Sequence, residues 1–219
     1  MAERASALAL AVRLLPVLAA ALLVACGTTA QPLQQAQAFL VQLDSAGGGD
    51  QQGHGTQHKP LAAVSVVPVT VAAPFSGRNL VIRQSDFGYE IDPYAQFAAS
   101  PASMWTEAVR AWLDEHRLFE RVLATGSSAD ASLTLETNLL EAVIDRRSGQ
   151  PAASRVTMRF LLIDNGASYR ILLDRTFSRA EPIQGKGAES EVAALSLAAA
   201  HVMRDFADAL PAPVNPSSR

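Results

Sequence analysis

Leu133-Thr134-Leu135-Glu136-Thr137-Asn138-Leu139 alternates an apolar-side series (Leu133, Leu135, Thr137, Leu139) with a polar one (Thr134, Glu136, Asn138). That period of two marks a half-buried β-strand. Leu139-Leu140 breaks the alternation and predicts a bulge. Arg146-Arg147-Ser148-Gly149 reads as a turn, after which Val156, Met158, Phe160 and Leu162 repeat the period. Asn165-Gly166 is the strongest hairpin signal in the chain. The strand beyond it is expected to place Tyr169, Ile171, Leu173 and Phe177 on one face.

Upstream, Ala62–Val71 is β-branched and apolar on both faces, the pattern of an interior strand interrupted near Pro68, which cannot donate to a ladder. Asn79–Arg83 and Tyr89–Ile91 flank Gln84–Gly88 as a predicted hairpin. A helix from Pro101 or Ser103 to about Arg117 puts Trp105, Ala108, Val109, Trp112 and His116 on one face. Phe119–Ala124 reads as a short strand. A final helix, about Ala188–Leu210, aligns Val192, Leu195, Ala199, Val202 and Phe206, and Pro211, Pro213 and Pro216 end it. Strands, helix, antiparallel strands, helix is an α+β order. The expectation is a single, mostly antiparallel sheet with two main helices packed on one face, preceded by a lipidated flexible tether.

The chain has 219 residues, 49% hydrophobic and 18% charged, with a net charge of −3. This balance excludes a disordered or collagen-like chain, and the charge gives no footprint for nucleic acid. One cysteine excludes a disulfide framework and a multi-cysteine metal site.

That cysteine decides the N-terminus. Arg4 and Arg13 precede an uncharged run, Leu14–Val24, which is too short to span a hydrocarbon core of roughly 30 Å. A basic start, a short apolar run and small residues make a secretory signal peptide. Its end, Leu23-Val24-Ala25-Cys26, resembles a bacterial lipobox, in which the cysteine thiol takes a diacylglyceryl group and cleavage falls before it. Cys26 is therefore the expected lipidation site, and two or three acyl chains make membrane attachment effectively permanent. Residue 27 is Gly rather than the Asp that retains lipoproteins in some inner membranes, which favours the periplasmic face of the outer membrane.

Residues 26–60 read as lipidated cysteine and tether, with a short strand at Phe39–Leu43. Asp44–Pro60, with five glycines, three glutamines and two histidines, lacks the apolar surface to offset its ordering entropy. The strand either docks, leaving this stretch as an insertion, or the tether runs to Pro60. As coil, twelve residues reach about 20 Å and thirty-four about 32 Å. The folded domain is expected over 61–210, with a loose tail at 211–219.

Chemistry is sparse. No glycine-framed serine, His-Glu-x-x-His pair, phosphate loop or dinucleotide fingerprint occurs, so no catalytic residue, metal ligand or cofactor is expected. His54 and His58 sit in the glycine-rich stretch and read as solvated. His116 suits the negative end of its helix, and His201 has no evident partner. Asp86, Glu90 and Asp92 read as turn acids. Trp105 and Trp112, seven apart, are core in one reading and a lipid or partner face in the other.

The chain resembles the ABC-type transport auxiliary lipoproteins, the PqiC-like family, from about Leu61 to Leu210. The matching stretches are Val64-Ser65-Val66-Val67-Pro68, Leu80-Val81-Ile82-Arg83, Tyr89-Glu90, Phe97, Phe177–Ile183 and Ala194-Leu195-Ser196, in the family's order. The resemblance implies a non-catalytic auxiliary or docking component of an intermembrane lipid transport system. Its partner would be a periplasmic subunit carrying the mammalian-cell-entry domain, with an inner-membrane ATPase and permease; self-association stays open. The alternatives are another outer-membrane scaffold lipoprotein, serving lipopolysaccharide assembly or activating a peptidoglycan synthase, and a lipid-binding module.

Overall fold

The computed structural model describes residues 35–43, 59–166 and 169–212. The expected signal peptide, Cys26, His54, His58 and most of the expected tail lie outside the described residues.

Three long antiparallel strands form the frame: β7 (Leu133–Asp145), β8 (Ala153–Asp164) and β9 (Arg170–Pro182). The register of β7 against β8 shifts between Leu139 and Glu141, which is the bulge that Leu139-Leu140 predicts. Asn165-Gly166 does join β8 to β9, through a five-residue connection rather than a two-residue turn, since Asp164 faces Arg170. The Asn165 amide bonds Ala131 O at 3.1 Å and its oxygen accepts from Thr134 Oγ1 at 3.0 Å, so it ties this connection to the start of β7.

The other edge of β7 is covered by three short strands in succession: β2 (Val64–Val66), β3 (Thr70–Val71) and β4 (Asn79–Arg83). All three run parallel to β7. Val64 faces Leu133, Thr70 faces Asn138 and Ile82 faces Ile144. The expected single strand Ala62–Val71 is thus split around Pro68, and a 3-10 turn at Ala73–Phe75 separates the second piece from β4. β5 (Tyr89–Phe97) returns antiparallel to β4, and β6 (Val122–Ala124) lies parallel to β2.

The sheet is therefore mixed, and the mostly antiparallel expectation is corrected. Among the described residues, five of the eight strand pairings are parallel. After the β4–β5 hairpin, helix α1 (Pro101–Glu115) carries the chain back to the start of β2, so β6 and β7 both set out in β2's direction. Parallel pairing needs such a long crossover, and strand periodicity does not record it.

A second correction concerns β1, which occupies Gln37–Phe39 rather than Phe39–Leu43 and pairs parallel with β5, Gln37 facing Ala95. Val41 and Leu43 are buried without belonging to a strand. The third is on β9. Leu173 and Phe177 face the core, but Tyr169 and Ile171 are 74% and 58% exposed. The register shifts between Leu162, facing Leu173, and Ile163, facing Ile171. Leu172 is the extra residue; it packs on the core and turns Ile171 outward.

Both helices cover one face of the sheet. Ser100 caps α1, its Oγ accepting from Ser103 N, and Pro101 fits the first turn, where its missing N–H is not needed. Helix α2 (Ala188–Asp208) carries Glu189 and Glu191 in its first turn, where carboxylates suit the helix dipole. Buried Ala194, Ala198 and Ala199 let it sit close while Leu195, Val202 and Phe206 meet the Val156, Met158, Phe160 and Leu162 row. Phe206 stacks on Phe160 with ring centroids 4.5 Å apart. On the opposite face a smaller cluster joins Phe75, Val81 and Val143.

Candidate functional site

Trp105 and Trp112 sit in the main core, 0% and 2% exposed. Neither presents a face to a lipid or a partner, so that reading of the pair is corrected. The helix turns them inward with Val109 and Leu113, and Trp112 stacks on His116 at 3.9 Å. His116 caps α1, its Nδ1 lying 2.9 Å from Trp112 O, as the dipole suggested. His201 does have a partner: Nδ1 contacts Glu181 Oε1 across the α2–β9 interface, beside the two-pronged Arg179–Asp205 pair.

The three turn acids are each engaged. Asp92 Oδ1 accepts from Tyr94 N and Ala95 N, Glu90 accepts from Gln84 Nε2, and Asp86 accepts from Arg147 Nη1 at 2.7 Å. Among the described residues no group of three His, Cys, Asp or Glu side chains is placed to hold a metal ion, and no helix is long and apolar enough to cross a membrane.

Two features were not legible in the sequence. The first is a groove of about 460 Å³ between the segment after β1 and the first turns of α2, lined by Phe39, Leu40, Gln42, Val192, Ser196 and Leu197. Gln42 N donates to Ser196 Oγ at 3.2 Å and closes one side. The lining is mainly apolar with a polar rim, suited to aliphatic matter. Nothing in the alternation around Phe39 or α2 foretold the groove, because the sequence does not give the distance between the two segments.

The second is an ionic clasp at the end of the molecule where the β7–β8 turn meets the β4–β5 hairpin and the start of α2. Arg147 grips Asp145 through Nε (3.0 Å) and Nη2 (2.8 Å) while its Nη1 reaches Asp86. Arg146 pairs with buried Glu191, and Ser154 Oγ donates to Glu191 O. The Arg147 hydrogen bonds hold the buried Asp145 carboxyl below its usual range, and the two acids push the guanidinium further up. A depressed carboxylate pKa stabilises the fold above its unfolded value, roughly pH 4, and the contribution is lost as pH falls through the native one. Asp145→Asn should therefore cost about 1–3 kcal/mol at neutral pH. In thermal melts the gap between wild type and variant should hold from pH 7 to about 5 and close in more acidic buffer. A gap that widens on acidification would contradict this role.

The arrangement is an α+β body with an apolar groove and ion-paired seams. The chain belongs to the family described as ABC-type transport auxiliary lipoprotein component, whose model matches residues 42–207. The match starts among the residues that line the groove, at Gln42. Among solved structures, a DUF330 protein from Xanthomonas campestris is similar with a TM-score of 0.61 and 14% identity, covering 69% of this chain and 86% of that one. A crystal structure titled as an uncharacterized protein gives 0.56 and 18%, covering 68% and 98%. The PelC dodecamer from Paraburkholderia phytofirmans gives 0.44 and 15%, covering 71% and 95%. At these identities the likeness is one of fold. No curated protein matches the chain.

Proposed function

We propose that this protein is a non-catalytic docking component of an ABC-type intermembrane lipid transport system of the mammalian-cell-entry kind. Cys26 fastens it to the periplasmic face of the outer membrane. The folded body holds or receives the periplasmic subunit, while the inner-membrane ATPase and permease supply the energy. The observation that carries this reading is the family match over 42–207, preceded by Leu23-Val24-Ala25-Cys26 at the end of a short apolar run. Gly27 supports the outer membrane.

Crosslinking in the native host followed by affinity capture tests it. The expected catch is a mammalian-cell-entry subunit with its ATPase and permease. Recovery of a lipopolysaccharide-assembly barrel or a peptidoglycan synthase instead would replace this reading with that of a different scaffold lipoprotein.

A further inference from the structure

The β4–β5 hairpin ends in a loop that presents apolar side chains to solvent. Phe87 is 97% exposed, Tyr89 49% and Ile91 63%. Tyr89 and Ile91 share one face of β5 by alternation, and Glu90 between them points to the other. Ile91 stands across from Val81, whose side chain joins the Phe75–Val143 cluster, so the exposed row continues an apolar base.

The loop is held firmly. Gln84 N and Ser85 N donate to Gly88 O, and Gly88 N donates to Ser85 Oγ at 2.8 Å. Arg83 bonds Ser85 O and Asp86 O from below and lies over the Tyr89 ring at 5.8 Å. Arg147 ties Asp86 to the β7–β8 turn. Asp86 is thus paired with two arginines, at 2.7 and 3.7 Å, which lowers the charge at the tip. A wholly exposed phenylalanine on so constrained a turn is preorganised to bury itself in something else.

The direction of β1 indicates what. Because β1 runs parallel to β5, its first residue, Gln37, is on the side of β1 nearer the end of β5 that carries Tyr89 and Phe87. From Ala95, opposite Gln37, to Tyr89 is roughly 20 Å at strand rise. The eleven residues from Cys26 to Gln37 can span at most ~39 Å, more than that distance. A membrane holding Cys26 is then within reach of the hairpin tip. We infer that Phe87, Tyr89 and Ile91 form a foot that seats in the interfacial layer of the membrane to which Cys26 is anchored. The inference rests on the lipid anchor of the proposed function and adds to it an orientation. The hairpin end faces the lipid and the β8–β9 connection, at the opposite end of β7 and β8, faces away. The amphipathic ring of Tyr89 suits such an interface, and Phe87 and Ile91 supply apolar surface to bury in it.

Phe87→Trp in the full lipidated chain, reconstituted in phosphatidylcholine vesicles containing acyl-brominated phosphatidylcholine, tests the foot. Tyr169→Trp, on the far connection, is the comparison. Trp105 and Trp112 are buried and give the same background in both. The expected result is a blue shift and loss of emission for Trp at 87 and neither at 169. Vesicle-bound protein with equal, unquenched emission at both positions would overturn the foot and leave the anchor standing, as it would if the tip binds a protein instead. Protein that fails to bind the vesicles overturns the anchor and the foot together.

Discussion

Phe160→Asp is expected to abolish the cooperative melt of this domain or lower it drastically. Phe160 is wholly buried, stacked on Phe206 at 4.5 Å and 6.1 Å from the ring of Phe177, where β8 and β9 meet helix α2. An aspartate there loses the buried ring, worth about 3–5 kcal/mol on truncation. It also puts a carboxylate into an apolar core, where its cross-strand neighbours are the Thr137 hydroxyl and Arg175 of the outer strand and the remaining surroundings are hydrocarbon. Domains of this kind have roughly 5–15 kcal/mol in total, so the variant should be largely unfolded at ambient temperature. Phe160→Leu keeps the site apolar and should fold with a lowered melting temperature. A Phe160→Asp protein that melts like wild type would refute the placement of this face.

The second large effect is on location. Cys26→Ser should move the protein from the membrane pellet to the soluble periplasmic fraction. A buried CH₂ contributes roughly 0.8 kcal/mol, so two or three acyl chains hold firmly where a serine holds nothing. The hairpin foot alone, with three apolar side chains, should not retain the variant. Unchanged fractionation would mean that the body or a bound partner carries the attachment.

Much of the frame was legible in the residues. The alternation of Leu133–Leu139, the disturbance at Leu140, the Val156–Leu162 row and the apolar line of α2 each follow from one period and one buried face. The direction of pairing was not legible. Ala62–Val71 reads as one interior strand and Asn79–Arg83 as an arm of a hairpin, and only the return of the chain through α1 makes β2, β3 and β4 parallel companions of β7. Tyr169 and Ile171 illustrate a different limit. Their spacing continues the core series, but a single extra residue at Leu172 moves the alternation to the other face.

The surfaces were the least visible. Phe87 and Tyr89 are residues a core would also accept, and their exposure depends on the ladder ending at Arg83. The tryptophans left two readings open, since a stripe of two indoles on a helix looks the same whether it meets solvent or the sheet, and burial selects the core. His201 gained Glu181 only because β9 and α2 pack side by side, which local sequence does not encode.

Intact-mass analysis of the protein extracted from the membrane fraction reads the proposed bond between Cys26 and a lipid directly. The predicted species begins at Cys26 and carries a diacylglyceryl group with a further acyl chain on its amine. A membrane-derived chain with a free thiol at Cys26, or one that retains residues 1–25, would contradict it.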